Sequence, residues 1–449
     1  MSVNTDQFFP NPKAISSDLM YSVKSGAVPG RAYRASIQST NSQQYQPGSL
    51  AVAYIPCGRQ NTYLDQTQSY LRFTVQQNSA TNSFNIDNTA FCFLNRLDVF
   101  HGSNLLDTMQ QTNVLINALA DVQVNASQKI GLQNAWGFGS DANGRPGMDM
   151  SGNGLRQTFC VPIFSGAVGC LLNKCLPLHE LFSDIRLELT WEQANNAVVW
   201  SGAASTAWSI INVELDLQII ELGDAGMKMY RDVTPRGSPV YIHSQTYRHY
   251  VANLPSAYAG TYSTIVPARA ASLKSLLVCC RRSTEIISPT SYSLSSRCNP
   301  NFANYNWRVA GELIPQKPVQ LINQNTTGSY SEGYSELTKS FHSLNNFEYS
   351  TSLPYGFFNV ADSADVLGGG VVAPSVNGLS YQNGFLIGTE LEMFAKRGDV
   401  ILSGLNTLNA QVFFEAVINT PTTENYTLDF YALSDIILVI EDGIMSVKM

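Results

Sequence analysis

Charge is scarce in this sequence. Only 14% of its 449 residues are Asp, Glu, Lys or Arg, against about 25% in an average soluble domain. A protein that wraps nucleic acid needs clustered Lys and Arg to displace counterions. Here the net charge is −7 and the densest basic pair is Arg281-Arg282, so direct, sequence-specific nucleic-acid binding is not expected. Long apolar runs are missing too. No stretch approaches the ~18 residues of a membrane-spanning helix. The opening MSVNTDQFFPNPKAISSDLMYSVKSG has no basic start followed by an apolar core, so the expectation is no secretory signal and synthesis in the cytosol.

Catalytic and metal-binding patterns are also absent. The eight cysteines (57, 92, 160, 170, 175, 279, 280, 298) include no CxxC pair. They read as free, mostly buried thiols. Cys279 and Cys280 are adjacent, so on a strand they point to opposite faces and a disulfide between them would be strained. Of the five histidines, His243 and His249 lie roughly 20 Å apart at strand rise, too far to share one ion. His179-Glu180 reads as part of a helical turn packed by Leu178, Leu181 and Phe182. There is no G-x-S-x-G elbow, and Gly368-Gly369-Gly370 lacks the Lys-Ser/Thr of a phosphate loop. Glu188 and Glu192 form the one carboxylate pair a glycosidase reading could use. Glu188 reads more simply as a solvent-facing strand residue. No catalytic, cofactor-binding or metal-binding residue is assigned, and an enzyme is not expected. The sequons at Asn125, Asn325 and Asn425 read as chance matches.

Alternation is what the sequence has in abundance. Ile185-Arg186-Leu187-Glu188-Leu189-Thr190-Trp191 and Val213-Glu214-Leu215-Asp216-Leu217-Gln218-Ile219 switch apolar and polar residues with period 2. So does Tyr426-Thr427-Leu428-Asp429-Phe430, which leads into Ile436–Ile440. Period 2 buries one face of a strand. The length exceeds one ordinary core, and two units of roughly 200 residues are the natural division. Residues 1–30, with Pro10, Pro12, Pro29 and the apolar pair Phe8-Phe9, read as an N-terminal arm. It is either a frayed tail or an arm that docks on a neighbouring subunit. The first β block spans 31–225 and the second 226–449, with the linker at Gly223–Pro239.

The first block carries further strands near 48–54, 70–75, 96–100 and 158–163. A short helix is expected at 113–122, a glycine-rich loop at 131–154 and a helical turn at 178–182. The second block repeats the order. Its strands fall near 239–250, 272–280, 307–314, 385–394, 410–417 and 428–440, with a helix at 331–344 and a glycine-rich loop at 366–378. Trp136 and Phe138, in the Asn134–Gly139 stretch of the first loop, are candidate subunit contacts along with Phe8 and Phe9, because exposed aromatics are enriched at interfaces. Trp136 beside Asn134 also leaves a sugar-binding reading open.

Three segments carry a family resemblance. TYLDQTQSYLRFTV, LNRLDVFHGSNLLD and FCVPIFSGAVGCLLNKCLPLHELFSDIRLELTWE resemble double jelly-roll major capsid proteins. The similarity is closest to those of adintoviruses and other polinton-like DNA viruses, with virophage and adenovirus-type hexons more distant. The closing LDFYALSDIILVIEDGIMSV looks like the last strands of such proteins. The resemblance implies an all-β fold of two tandem eight-stranded jelly-roll β-sandwiches, with short helices in connecting loops. It further implies a pseudo-hexameric homotrimer that tiles an icosahedral shell in the virion. The implied partners are other copies of the chain, a single jelly-roll penton protein and minor capsid proteins. Two alternatives stay open: a carbohydrate-binding or adhesin-type β-sandwich using the Trp136 loop, and a jelly-roll glycoside hydrolase.

Overall fold

The computed structural model describes residues 28–448 apart from 80–82, 140–146, 151–153, 201–207, 236, 287, 322–330, 345–350, 354–357, 359–374, 377–378, 381–383 and 394–400. Eight principal strands make up the first unit: β1 (Gly30–Gln38), β2 (Leu50–Ile55), β3 (Thr62–Gln77), β4 (Leu94–His101), β5 (Asn104–Met109), β6 (Arg156–Pro162), β7 (Ile185–Trp191) and β8 (Trp208–Leu222). Eight more follow: β9 (Val240–Leu254), β10 (Gly260–Val266), β11 (Leu273–Arg282), β12 (Phe302–Val309), β13 (Glu312–Gln320), β14 (Ile387–Glu390), β15 (Val412–Ile418) and β16 (Tyr426–Glu441). All pairings among these sixteen strands are antiparallel.

The order of pairing is the same in both units. The first has sheets β1-β8-β3-β6 and β2-β7-β4-β5; the second has β9-β16-β11-β14 and β10-β15-β12-β13. Each is a two-sheet jelly roll, and together they are the two tandem eight-stranded rolls expected from the sequence. Equivalent strands even share burial. Ile185–Trp191 and Val412–Ile418 occupy the same place and both alternate buried with half-buried residues. Alternation is kept because one face lines the sandwich and the other does not.

Each roll closes on aromatic rings. In the first, Phe73 lies 5.4 Å from Trp191 and 6.3 Å from Phe93, whose ring meets Trp208 at 5.0 Å. In the second, Phe414 sits among Trp307, Tyr305, Phe302 and Phe430, the closest centroid being 5.0 Å away. Off-centre and edge-on ring pairs add to simple area burial.

The structure differs from the sequence reading in several respects. The expected loop at 131–154 begins inside helix α2 (Ala126–Gly131) and continues through α3 (Gln133–Trp136), after α1 (Thr112–Gln123). Asn125 caps α2 by a reciprocal bond with Gln128, a capping box. The expected linker is helix α4 (Asp224–Val233), followed by Thr234–Pro239 as the short connection. The expected strand at 307–314 straddles a hairpin, because Ala310 and Gly311 both have positive φ, 51° and 90°, as a tight two-residue turn requires. A strand expected at 385–394 is confined to β14. Four strands lie outside the sequence reading: β1, β5, β10, and a terminal strand Ile444–Lys448 that turns back on β16 through Asp442-Gly443. Short helices α5 (Ser283–Ile286) and α6 (Ser331–Ser340) complete the described elements used below. The loop at 366–378 lies almost wholly outside the described residues.

Candidate assembly surfaces and the seam between the rolls

Helix α1 is buried on every side from Thr112 to Val122. An amphipathic surface helix would keep one face wet; this one is wedged between the rolls. Its residues Asn113, Asn117 and Asp121 recur every fourth position and form one polar stripe. Asn113 donates to Glu192 at 2.7 Å, Asn117 accepts from Thr89 at 2.7 Å, and Asp121 reaches Arg297 of the second roll at 2.6 Å. Lys129 Nζ holds the other oxygen of Asp121 at 3.1 Å.

More buried carboxylates stitch the seam. Asp107 on β5 accepts from Ser165 Oγ and the Gly166 amide, both 2.8 Å, and from Thr246 on β9 at 2.6 Å. Asp87 accepts from the Leu294 amide at 2.7 Å and from the Ser295 hydroxyl. Tyr431 donates to the Gln111 carbonyl at 2.9 Å, and the Met445 amide donates to His101 Nδ1 at 3.1 Å. Gly166 has no room for a side chain: a Cβ there would stand 2.1 Å from the Gln245 carbonyl oxygen. The two backbones therefore touch, and the rolls pack as one body through a buried polar network in which, of these seam side chains, only Arg297 Nε and Nη1 and His101 Nε2 have no hydrogen-bond partner.

Burial and pairing pull the seam carboxylates apart in acidity. Burial alone raises Asp121, but Lys129 and Arg297 outweigh it and hold the carboxyl below its ordinary range. Asp429 behaves alike: burial opposes ionisation, while Arg281 at 2.7 Å and His249 at 2.9 Å prevail. Asp87 has hydrogen bonds but no cation in contact, and burial pushes it up to about 6.

This seam explains why β11 is buried along nearly its whole length. Cys280 faces the roll's own core beside Cys298, and Cys279 faces the seam near Arg297 and Asp429. Both thiols are pushed up by burial, Cys279 to about 12.

The candidate contact residues separate. Phe8 and Phe9 lie outside the described residues. Phe138 is 1% exposed and belongs to the chain's own core. Trp136 is half-buried, stacked on Phe138 at 6.2 Å and edge-on to Phe91 at 5.6 Å. The carboxylate pair also separates. Glu188 is bound to Arg186 at 3.0 Å on the outer face. Glu192 is buried and accepts from Asn95, Asn113, Asn196 and the Gln193 amide. Its oxygens are occupied by structural donors, which leaves none aimed at a substrate.

Two surfaces among the described residues bear on assembly. On the outer face of β1 and β8, Arg31 pairs with Glu221 at 2.8 Å, while Arg34 and Arg72 both close on Asp216. At one end of the molecule, Phe182 (84% exposed) shares a cleft with Arg231 and Thr234 of the α4 segment, which also exposes Met229 and Val233. The chain enters the fold at this end. Val28 packs on Gly226, and the Gly223 amide donates to the Pro29 carbonyl at 2.8 Å. No helix among the described residues is long and apolar enough to cross a membrane.

No family model and no curated protein matches the chain. Solved structures do. VP54 of PBCV-1 superposes with a TM-score of 0.62 at 11% identity, covering 95% of this chain and 98% of that one. The Faustovirus major capsid protein gives 0.57 at 10% identity over 94% and 92% of the two chains. The mavirus major capsid protein gives 0.53 at 10% over 98% and 94%. At such identities the likeness is one of fold, and it spans both rolls: this chain has the double jelly-roll architecture of viral major capsid proteins.

Proposed function

We propose that the chain is a major capsid protein of a DNA virus that self-assembles as a pseudo-hexameric homotrimer and tiles an icosahedral shell. The observation that carries this is the repeated roll. Two units with the same strand order are locked side by side by a buried polar seam. Three copies of such a rigid pair present six nearly equivalent rolls around one axis, a closed arrangement. The low charge fits a surface largely covered by neighbouring copies. Affinity to adintovirus-type proteins in particular rests on the sequence motifs quoted above. Its site of action is then the virion, with a penton protein and minor capsid proteins as further partners.

Within this reading Trp136 keeps a half-exposed edge for a subunit contact, and Phe138 supports it from beneath. The end carrying Phe182, Met229 and Val233 is the natural place for the arm to act, since the arm departs beside it. The carbohydrate-binding alternative would need a free ring face on Trp136, and Phe138 is already stacked on one of the two. Mass photometry of the purified chain is expected to give three times 49.2 kDa, and negative-stain images hexagonal particles. A monodisperse monomer at micromolar concentration would sink the proposal.

A further inference from the structure

Strand β14 and helix α6 come unusually close. A Cβ on Gly388 would stand 2.4 Å from Ser340 Oγ and 2.9 Å from the Leu337 side chain. That approach sets His342, two residues beyond α6 and in the left-handed region at φ 56°, against Glu390 and Glu392. The two glutamates alternate along an extended segment and so share one face. Both side chains are more than nine-tenths buried, at 9% and 7% exposure.

The three side chains do not satisfy one another. His342 Nδ1 lies 3.5 Å from Glu390 Oε2, and Nε2 lies 3.5 Å from Glu392 Oε2. Both distances exceed a hydrogen bond. A neutral imidazole carries one N–H, so whichever tautomer forms, one ring nitrogen turns a lone pair towards a carboxylate. The remaining oxygens are already used. Glu390 Oε1 accepts the Glu392 amide at 2.7 Å, and Glu392 Oε1 accepts from Lys274 at 3.0 Å and from Ser403. Lys274 is further shared with Asp435 at 3.7 Å, which His243 also contacts at 3.1 Å. Two carboxylates thus share one lysine. The Oε2 atoms of both glutamates and the ring of His342, itself 40% exposed, converge at the rim of a cleft of about 470 Å³ between the rolls.

We propose that His342, Glu390 and Glu392 bind a divalent first-row transition-metal ion that staples α6 to β14. Their ligating atoms all lie within 4.8 Å of one another. An ion with ligand bonds of about 2.0–2.2 Å holds neighbouring ligand atoms roughly 3.0–3.5 Å apart, so side-chain rotations that close the wider separations complete the set. One nitrogen and two carboxylate oxygens suit manganese, iron or zinc better than magnesium, which prefers oxygen alone and keeps its waters. The cleft leaves room for water at the remaining positions. This site is independent of capsomer assembly, so its failure would leave the capsid reading standing.

The test uses the full-length protein, stripped with EDTA and dialysed against Mn²⁺, a probe that the free thiols bind poorly. Metal content and melting temperature are both measured. About one Mn²⁺ per chain is expected to be retained, with a melting-temperature rise on the order of 5 °C at saturating metal. Glu390→Gln keeps the bond from the Glu392 amide, and His342→Asn tolerates the left-handed backbone. Each variant is expected to melt close to the metal-free wild type and to lose both the bound ion and the shift. Absence of retained metal in the wild type, or retention unchanged in a folded variant, would overturn the proposal.

Discussion

Asp121, near the end of α1 in the first roll, and Arg297, in the second, meet at 2.6 Å where neither side chain reaches solvent appreciably. Lys129 shares the same carboxylate at 3.1 Å. The triad is therefore asymmetric, with two cations on one anion. Removing the anion takes the shared carboxylate from both cations, whereas removing Arg297 leaves a Lys129–Asp121 pair. Asp121→Ala is expected to cost about 3–5 kcal/mol, the range for breaking a buried pair. Arg297→Met should cost measurably less. Urea unfolding of both variants decides the order, and equal losses would contradict the shared-anion picture.

The close approach at Gly166 makes a second expectation. A methyl group there would collide with the backbone of Gln245 rather than with a side chain that can turn aside. Gly166→Ala should destabilise by several kcal/mol or block folding, as overpacking against backbone does. Gly102, which has nothing within 4 Å but a positive φ of 58°, is the control; Gly102→Asn should change the melting temperature little.

Asp87 gives a pH dependence with an unusual sign. Its carboxyl stands near 6 in the fold and near 3.9 when unfolded. Between those values the folded chain holds a proton that the unfolded chain has released. Its contribution to stability is therefore present at low pH and lost as pH rises through about 6, by roughly 3 kcal/mol in full. Asp121 and Asp429 act oppositely, since their lowered carboxyls stabilise above the ordinary range and lose that contribution on acidification. In Asp87→Asn the first component disappears. The melting temperature of wild type minus variant should fall between pH 4 and 6 and level off above. A flat difference would show that Asp87 is ionised throughout.

The arm can be tested apart from the fold. Deleting residues 2–27 spares Val28 and Pro29, which pack on α4 and its cap. The truncated chain is expected to keep its trimer. Assembly of trimers into shells should weaken at least tenfold, because burying a Phe ring is worth about 1.5–3 kcal/mol. Light scattering of assembly reactions reads this, and unchanged shell yield would mean that the arm is a tail.

Much of the fold was legible because a strand with one buried face writes its period into the chain. Ile185–Trp191 and Val213–Ile219 are legible for that reason, and the pair of rolls follows from their recurrence. Turns were harder to read. Asp442-Gly443 is a strong hairpin signal that went unread, so the terminal strand was missed, and Ala310-Gly311 is a weak one that hid the break between β12 and β13. The stripe Asn113, Asn117, Asp121 was present in the sequence as polar residues at every fourth position of an otherwise apolar helix. That pattern signals a buried network, since a helix apolar on its other faces has no wet side to offer them.

The sequence alone determined the alternation, the two-fold repetition and the want of any linear catalytic motif, because these depend on neighbours within a few residues. Tertiary structure decided what each polar group does. Asp121 and Arg297 stand 176 positions apart, and His342 meets Glu390 and Glu392 only because α6 lies on Gly388. Phe138 and Trp136 stand two positions apart in the sequence, yet one is core and the other half-exposed, since α3 folds a stretch that its glycines marked as loop. Burial and long-range pairing are properties of the closed sandwich, and the sandwich closes only when strands at opposite ends of each roll, β1 with β8 and β9 with β16, lie side by side.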